Sequence, residues 1–152
     1  MYRLISVIGG SSATEEEYSF ALSLGRLLAG AGLSVVCGGG SGVMEAACKG
    51  CSEAGGFSLG ILPGENSSQA NGFISTAVPT GMGVSRNRIV ALTGEAVCAV
   101  GGGYGTLSEI AFALQAGKHV CCFGKWENIP GVVSVSTPEE ALEFVTDRIG
   151  VD

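Results

Sequence analysis

Residues 96–109 read AVCAVGGGYGTLSE and contain the elements that decide the fold. The first five residues are apolar, which is typical of a strand buried on both faces of a parallel sheet. Consecutive glycines follow and lead into a helical stretch, so the segment predicts a strand, a tight turn and a helix. Residues 9–12 and 38–42 are also rich in small residues, and each follows an apolar run. Repetition of this unit predicts a parallel sheet whose strands are connected by helices.

The rest of the chain alternates between apolar runs and helical periodicity. Predicted strands cover residues 4–8, 33–37, 57–62, 74–78, 96–100, 119–123 and 132–135. Predicted helices cover residues 15–31, 43–54, 83–92, 105–116 and 137–148, the fourth starting at Gly105 or Thr106. This pattern predicts one α/β domain over residues 1–152, a Rossmann-like, doubly wound and mainly parallel sheet with helices on both faces. Residues 63–73 are irregular, and the sequence leaves open whether they form a mobile flap or an ordinary surface loop.

Composition limits the classes of function. The net charge is −6 with only eight basic residues, which argues against electrostatic binding of nucleic acid. Charged residues make up 14% of the chain, and such a low share predicts self-association into a homodimer or larger homo-oligomer. The apolar run at the N-terminus ends at Gly9 and is too short for a signal peptide or a membrane span. We therefore expect a cytoplasmic protein with no membrane association.

Six cysteines require an explanation. Cys48 and Cys51 have the spacing of a metal or redox pair, but they fall within a predicted helix and no second pair exists. The chain has one histidine, His119, whereas a closed zinc site needs four ligands. We therefore predict that the cysteines are small buried apolar residues and that no metal is bound.

The glycine-rich turns favour binding of a phosphate group. Backbone N–H groups can converge on a phosphate only where side chains do not block the approach, and the following helix adds a partial positive charge. Thr106 can contribute its hydroxyl. We expect the strand order 3-2-1-4-5, with the strand at 96–100 beginning the second half of the sheet. In that arrangement one crevice is flanked by residues 9–12 and 101–106 and bordered by residues 38–42. The turns match neither the dinucleotide fingerprint nor a Walker A loop.

Two charged residues accompany these turns. Glu109 lies one turn after Thr106 and is predicted to point to the same crevice, either towards the sugar of a nucleotide or simply as a carboxylate near the helix dipole. Arg86 lies near the start of another predicted helix, where the helix dipole disfavours a cation. That position indicates an anion-binding role, with a surface salt bridge as the alternative.

Residues 102–109, GGYGTLSE, resemble the Gly-Gly-x-Gly-Thr-x-x-Glu signature of the LOG phosphoribohydrolases, a family long mislabelled as lysine decarboxylases. Residues 38–46 are similar to the first glycine motif of that family, and Arg86 has the spacing of its arginine. The resemblance spans about residues 4–125 and implies a Rossmann-like fold and a homodimer or larger assembly. It also implies that Arg86 and Glu109 are catalytic, acting on the N-glycosidic bond of a nucleoside 5′-monophosphate. Lysine decarboxylase activity is not expected.

Several positions are more similar to a sister branch of the wider SLOG group. Gly101 stands where LOG enzymes have proline, and Asn87 where they have lysine; both resemble the branch that includes the molybdenum-cofactor carrier proteins. The favoured function is therefore binding of a phosphorylated ligand, an AMP-like nucleotide or a molybdopterin-type compound, with no required cofactor. The alternative is hydrolysis of a nucleoside monophosphate. The predicted ligand-binding residues are Gly10, Ser11, Ser12, Gly39, Gly40, Gly42, Met44, Arg86, Asn87, Gly102, Gly103, Tyr104, Gly105 and Thr106.

Overall fold

The computed structural model describes residues 1–151 and contains one seven-stranded, all-parallel sheet. The strands are β1 (Leu4–Gly9), β2 (Ser34–Cys37), β3 (Ser58–Leu62), β4 (Thr76–Pro79), β5 (Ala96–Val100), β6 (His119–Phe123) and β7 (Val132–Ser134). The helices are α1 (Glu15–Gly30), α2 (Val43–Glu53), α3 (Arg86–Thr93), α4 (Tyr104–Gln115) and α5 (Pro138–Ile149). Short 3₁₀ turns occupy Ser67–Gln69 and Gly83–Ser85. The predicted Rossmann-like α/β architecture is confirmed.

The strand order β4-β3-β2-β1-β5-β6-β7 places β1 at the centre of the sheet. Ser6 of β1 pairs with Val36 of β2 on one side and with Val97 of β5 on the other. The chain therefore reverses its direction of winding between β1 and β5, as predicted for residues 96–100. In parallel α/β sheets this reversal opens a crevice beyond the carboxyl ends of the two strands.

Helices cover both faces of the sheet and form two apolar layers. On one face α1, α2 and α5 bury residues such as Leu24, Cys48 and Phe144. On the other face α3 and α4 bury Val90 and Ile110. The two layers explain why the central strands are almost entirely apolar, since their side chains are buried alternately on each face.

Helices α1 and α2 approach each other closely because glycines lie at their contact. A Cβ placed on Gly25 would lie 2.1 Å from the carbonyl oxygen of Ala47, and one placed on Gly50 would lie 2.0 Å from that of Leu22. The predicted capping box starts α1, with the backbone N–H of Glu17 donating to Thr14 Oγ1 at 3.1 Å. Among residues 1–151, no helix is both long and apolar enough to cross a membrane.

Several predicted boundaries differ from the structure. The helix predicted over residues 83–92 begins as the 3₁₀ turn, so Arg86 is the first residue of α3. Helix α4 begins at Tyr104, before the predicted start. The strand predicted over residues 74–78 is Thr76–Pro79 at the edge of the sheet, where one-sided pairing and exposure leave little apolar contrast.

The irregular stretch at 63–73 is attached to the second glycine turn. The backbone N–H of Asn71 donates to the carbonyl of Gly39 at 2.8 Å, and its side-chain amide donates to the carbonyl of Gly40 at 2.9 Å. Asn66 caps the 3₁₀ turn within this stretch by accepting from the N–H of Ser68. These bonds correspond to an ordinary surface loop tied to the site rather than to a free flap.

Candidate functional site

A crevice of about 610 Å³ opens at the carboxyl ends of β1 and β5. Most of the residues predicted to bind the ligand or act on it line this crevice: Gly10, Ser11, Ser12, Met44, Arg86, Asn87, Gly102, Gly103, Gly105, Thr106 and Glu109. They come from three strand-to-helix turns and from the start of α3. The topological reversal therefore brings residues from distant parts of the chain to one place.

Four predicted ligand-binding residues do not line the crevice: Gly39, Gly40, Gly42 and Tyr104. A Cβ on Gly42 would lie 2.3 Å from the carbonyl oxygen of Gly10, so this glycine lets the first two turns touch. Gly39 has a φ of +78° and packs against Leu62, while the carbonyl of Gly40 accepts from Asn71. The side chain of Tyr104 is 84% exposed. The second glycine turn thus supports the crevice by packing.

The third glycine turn forms the floor of the crevice. Gly101 and Gly102 have φ values of +55° and +94°, in the region that favours glycine. Thr106 packs against Gly102, whose carbonyl accepts a hydrogen bond from Trp126 Nε1 at 3.2 Å. These contacts hold the loop in place directly before α4.

The helices that begin at the crevice lack side-chain caps. Within residues 1–151, α2, α3 and α4 have no capping side-chain hydrogen bond, whereas α1 and α5 are capped by Thr14 and Thr137. The first N–H groups of a helix have no partner inside the helix. At α4 these groups lie beside Gly103 and Gly105, which leave access to an anion.

Glu109 is buried in the crevice wall, with 6% of its surface exposed. Burial raises the pKa of its carboxyl to about 8, and the positive charge of Arg86 lowers that pKa in part. Among residues 1–151 no group hydrogen-bonds to its carboxyl oxygens. At neutral pH the group is therefore a protonated carboxylic acid, able to donate as well as accept a hydrogen bond.

Arg86 lies between the second glycine turn and α4. Its guanidinium packs against Gly38, where an added Cβ would lie 2.8 Å from one terminal nitrogen. One terminal nitrogen donates to the side-chain oxygen of Asn87, while Nε is buried and has no partner within residues 1–151. No salt bridge to Arg86 occurs in this part of the chain. An unpaired buried donor in a crevice is suited to an anionic ligand.

Asn87 connects the two helices at the crevice. Its side-chain amide donates to Ser108 Oγ of α4 at 3.3 Å, and Ser108 Oγ donates to the carbonyl of Gly105 at 2.6 Å. Asn87 is 7% exposed. The residue therefore orients Arg86 and joins it to the third glycine turn.

Gly9 lines the crevice as the first residue of the predicted 9–12 turn, whereas sequence reasoning missed four other residues: Glu17, Pro63, Val84 and Lys125. Pro63 and Lys125 follow β3 and β6. A signal was present for them, since residues after parallel strands share one edge of the sheet. No sequence pattern indicated that Glu17 lies in the crevice, because the capping box already accounted for a glutamate at that position.

The cysteines contribute nothing to this crevice. All six are free and buried, and Cys48 and Cys51 lie within α2 as predicted. Cys48 Sγ lies 3.5 Å from Cys37 Sγ. Within residues 1–151, no three cysteine, histidine or acidic side chains come together as metal ligands.

Comparison with known proteins supports the resemblance inferred from the motifs. Residues 2–147 match the model of the SLOG cluster4 family. The molybdenum cofactor binding protein of the phototrophic bacterium Rippkaea orientalis is 35% identical, with a TM-score of 0.93 over 98% of both chains. The molybdenum cofactor carrier protein of Chlamydomonas reinhardtii is 31% identical, with a TM-score of 0.89 over 99% of both chains. An uncharacterized protein of Archaeoglobus fulgidus is 41% identical over 140 residues, 92% of each chain.

Proposed function

From the premise that this chain belongs to the SLOG cluster4 family, we propose that it binds a small phosphorylated ligand in the crevice. The ligand is a nucleotide or the phosphorylated pterin of molybdenum cofactor. The structures of the Rippkaea and Chlamydomonas proteins, which are named for molybdenum cofactor, support the second of these ligands. In our proposal the ligand is cargo or a regulatory molecule, and no resident cofactor is needed.

The observation that carries this proposal is the uncapped start of α4 beside an unpaired arginine. The N–H groups at Gly103–Thr106 have no side-chain cap, and Arg86 Nε has no partner within residues 1–151. A phosphate at the start of α4 satisfies those N–H groups and gains from the helix dipole, and it is further stabilised by the positive charge of Arg86, which lines the same crevice. Of the fourteen residues predicted to bind the ligand, the ten that line the crevice are direct contacts in this proposal and the three in the second glycine turn support them, while exposed Tyr104 does neither.

Replacement of Gly103 by valine tests the phosphate site. Nothing lies within 4 Å of a Cβ at this position and its φ is negative, so the added side chain enters open space. Wild type should be stabilised by about 2.7 kcal/mol at a ligand concentration of one hundred dissociation constants. Gly103→Val should abolish this stabilisation, as measured by thermal shift with inorganic phosphate, GMP and AMP.

The control for that experiment is Gly72→Val. Gly72 is exposed, also has no atom within 4 Å of an added Cβ and does not line the crevice. This variant should keep the full response to phosphate and nucleotides. Equal responses in wild type and Gly103→Val would contradict the proposed site.

The protonation of Glu109 favours binding over hydrolysis. In the hydrolytic alternative, a carboxylate at Glu109 stabilises the positive charge that develops on ribose, and Arg86 assists. Because burial raises the pKa of Glu109 to about 8, the group is mostly uncharged at pH 7 and lacks the charge for that task. Under the binding proposal, incubation with AMP should release no adenine at pH 7 or at pH 9, where Glu109 is mostly ionised. Release of adenine by wild type and its loss in Glu109→Gln would establish the hydrolase instead.

Self-association and location remain part of the proposal. Three exposed apolar side chains, Met82, Val84 and Tyr104, lie in the segments that open α3 and α4, and they support a homodimer formed near the crevice. The six unpaired thiols support a reducing compartment such as the cytoplasm.

A further inference from the structure

Glu17 lies in the crevice although its local role does not require it to be there. One carboxylate oxygen, Oε1, accepts from the backbone N–H of Thr14 at 2.9 Å and completes the capping box of α1. The other oxygen, Oε2, takes no part in the cap. Within residues 1–151 no N–H or O–H group donates to Oε2, and no cation pairs with it.

The free oxygen of Glu17 lies against the loop that forms the crevice floor. A Cβ placed on Gly101 would lie 1.8 Å from Oε2, so the carboxylate occupies the space that a side chain at position 101 would fill. Gly101 directly precedes the Gly102–Thr106 segment proposed to hold the phosphate. Glu17 is partly buried and lines the same crevice as Gly102 and Thr106.

An unpaired carboxylate beside a phosphate site discriminates between ligands. It repels a ligand that presents only negative charge, because like charges at short range disfavour each other. It stabilises a ligand that presents an O–H or N–H donor, since a hydrogen bond to a charged acceptor is among the stronger ones.

We propose that Glu17 is a specificity-determining residue, whose Oε2 accepts a hydrogen bond from a hydroxyl or amino group on the phosphorylated ligand. This inference rests on the phosphate site proposed above. It selects phosphorylated compounds with such a donor over inorganic phosphate and over analogues that lack the donor. A sugar hydroxyl and the amino group of a 2-amino-4-oxopyrimidine ring, which guanine shares with pterins, both have this chemistry.

In the variant Glu17→Gln, the group next to Gly101 changes from a hydrogen-bond acceptor to a donor, while the capping box of α1 is kept. Glutamine is accepted at the third position of a capping box. Because the N–H of Thr14 needs an acceptor, the amide oxygen takes the place of Oε1, and the amide nitrogen takes the place of Oε2. An acceptor with a negative charge thereby becomes a neutral donor next to Gly101.

Dissociation constants for inorganic phosphate and for two pairs of nucleotides test the inference by calorimetry. GMP against IMP reports on the amino group, and AMP against 2′-deoxy-AMP reports on the hydroxyl. Wild type should prefer the donor-bearing member of at least one pair. Glu17→Gln should weaken binding of that member roughly 10- to 100-fold. It should remove a preference for GMP over IMP, because the amino group can only donate, and reduce a preference for AMP over 2′-deoxy-AMP, because the hydroxyl can also accept from the amide. The same variant should bind inorganic phosphate more tightly, because a negative charge has been removed.

Glu140→Gln is the matched control. Glu140 occupies the same position in α5, where its backbone N–H donates to Thr137 Oγ1 at 3.1 Å and Oε2 accepts from the N–H of Ser136 at 2.7 Å. It does not line the crevice, so this variant should leave every affinity unchanged.

Three outcomes overturn the inference. A preference that persists in Glu17→Gln, with phosphate binding intact, removes Glu17 from recognition and leaves the proposed function standing. Equal weakening of phosphate and nucleotides shows that Glu17 acts only through the fold. Failure of wild type to bind phosphate or any of the four nucleotides overturns this inference together with the nucleotide form of the proposed function.

Discussion

Replacement of Glu109 by glutamine should make the protein more stable at neutral and alkaline pH. Burial raises the pKa of this carboxyl from 4.5 to about 8, so the folded state holds a proton that the unfolded state releases within this range. The folded state binds more protons, and stability therefore falls as the pH rises from 4.5 to about 8. At about 1.4 kcal/mol for each unit of pH, the penalty grows to about 3 kcal/mol at pH 7 and about 5 kcal/mol above pH 8. Glutamine does not ionise and avoids this penalty.

Urea denaturation of wild type and Glu109→Gln between pH 5 and pH 9 measures the effect. The two free energies of unfolding should be similar near pH 5 and should diverge towards pH 8, with the variant more stable. Glu95→Gln is the control, because Arg3 lowers the pKa of Glu95 on the surface and its replacement should bring no gain at alkaline pH. A difference between wild type and Glu109→Gln that stays constant with pH would refute the reasoning.

Two further predictions concern packing and assembly. Gly25→Ala should destabilise the protein by about 1–3 kcal/mol in urea denaturation, because the new Cβ would lie 2.1 Å from the carbonyl oxygen of Ala47 and must separate α1 from α2. Gly30→Ala, in the same helix with nothing within 4 Å of the added Cβ, should instead be neutral or slightly stabilising, and a loss equal to that of Gly25→Ala would contradict the packing argument. Light scattering at micromolar concentration should show at least a homodimer that Val84→Asp weakens, and a monomeric wild type would reject self-association.

The sequence predicted best where apolar contrast is strong. Strands β5 and β6 begin and end at the predicted residues, since both are central and their flanks are polar or glycine. The predicted bounds of edge strand β4 are wrong because Ile74, which is apolar, packs against the core but does not pair in the sheet. Apolar residues thus indicate which segments are buried. At the edge of a sheet, burial distinguishes strands from loops less well than it does in the core.

For the candidate site, the sequence likewise predicted only those residues whose positions follow from the fold class. Glycine turns after strands could be placed in the crevice because the fold class determines where strand ends lie. Glu17 could not be placed in the crevice from the sequence, because the position of the first turn of α1 relative to β5 depends on how the helix packs against the sheet. The burial that raises the pKa of Glu109 also depends on tertiary packing and leaves no mark on the local sequence.

The contact between Gly101 and Glu17 also limits which substitutions this loop can accept during evolution. Proline, which LOG enzymes have at this position, requires a φ near −65°, whereas Gly101 has a φ of +55°. An added Cβ at position 101 would in addition lie 1.8 Å from the carboxylate of Glu17, so the glutamate side chain would have to move. A change from this loop type to the LOG type therefore requires both a different backbone conformation at position 101 and a new position for the Glu17 side chain.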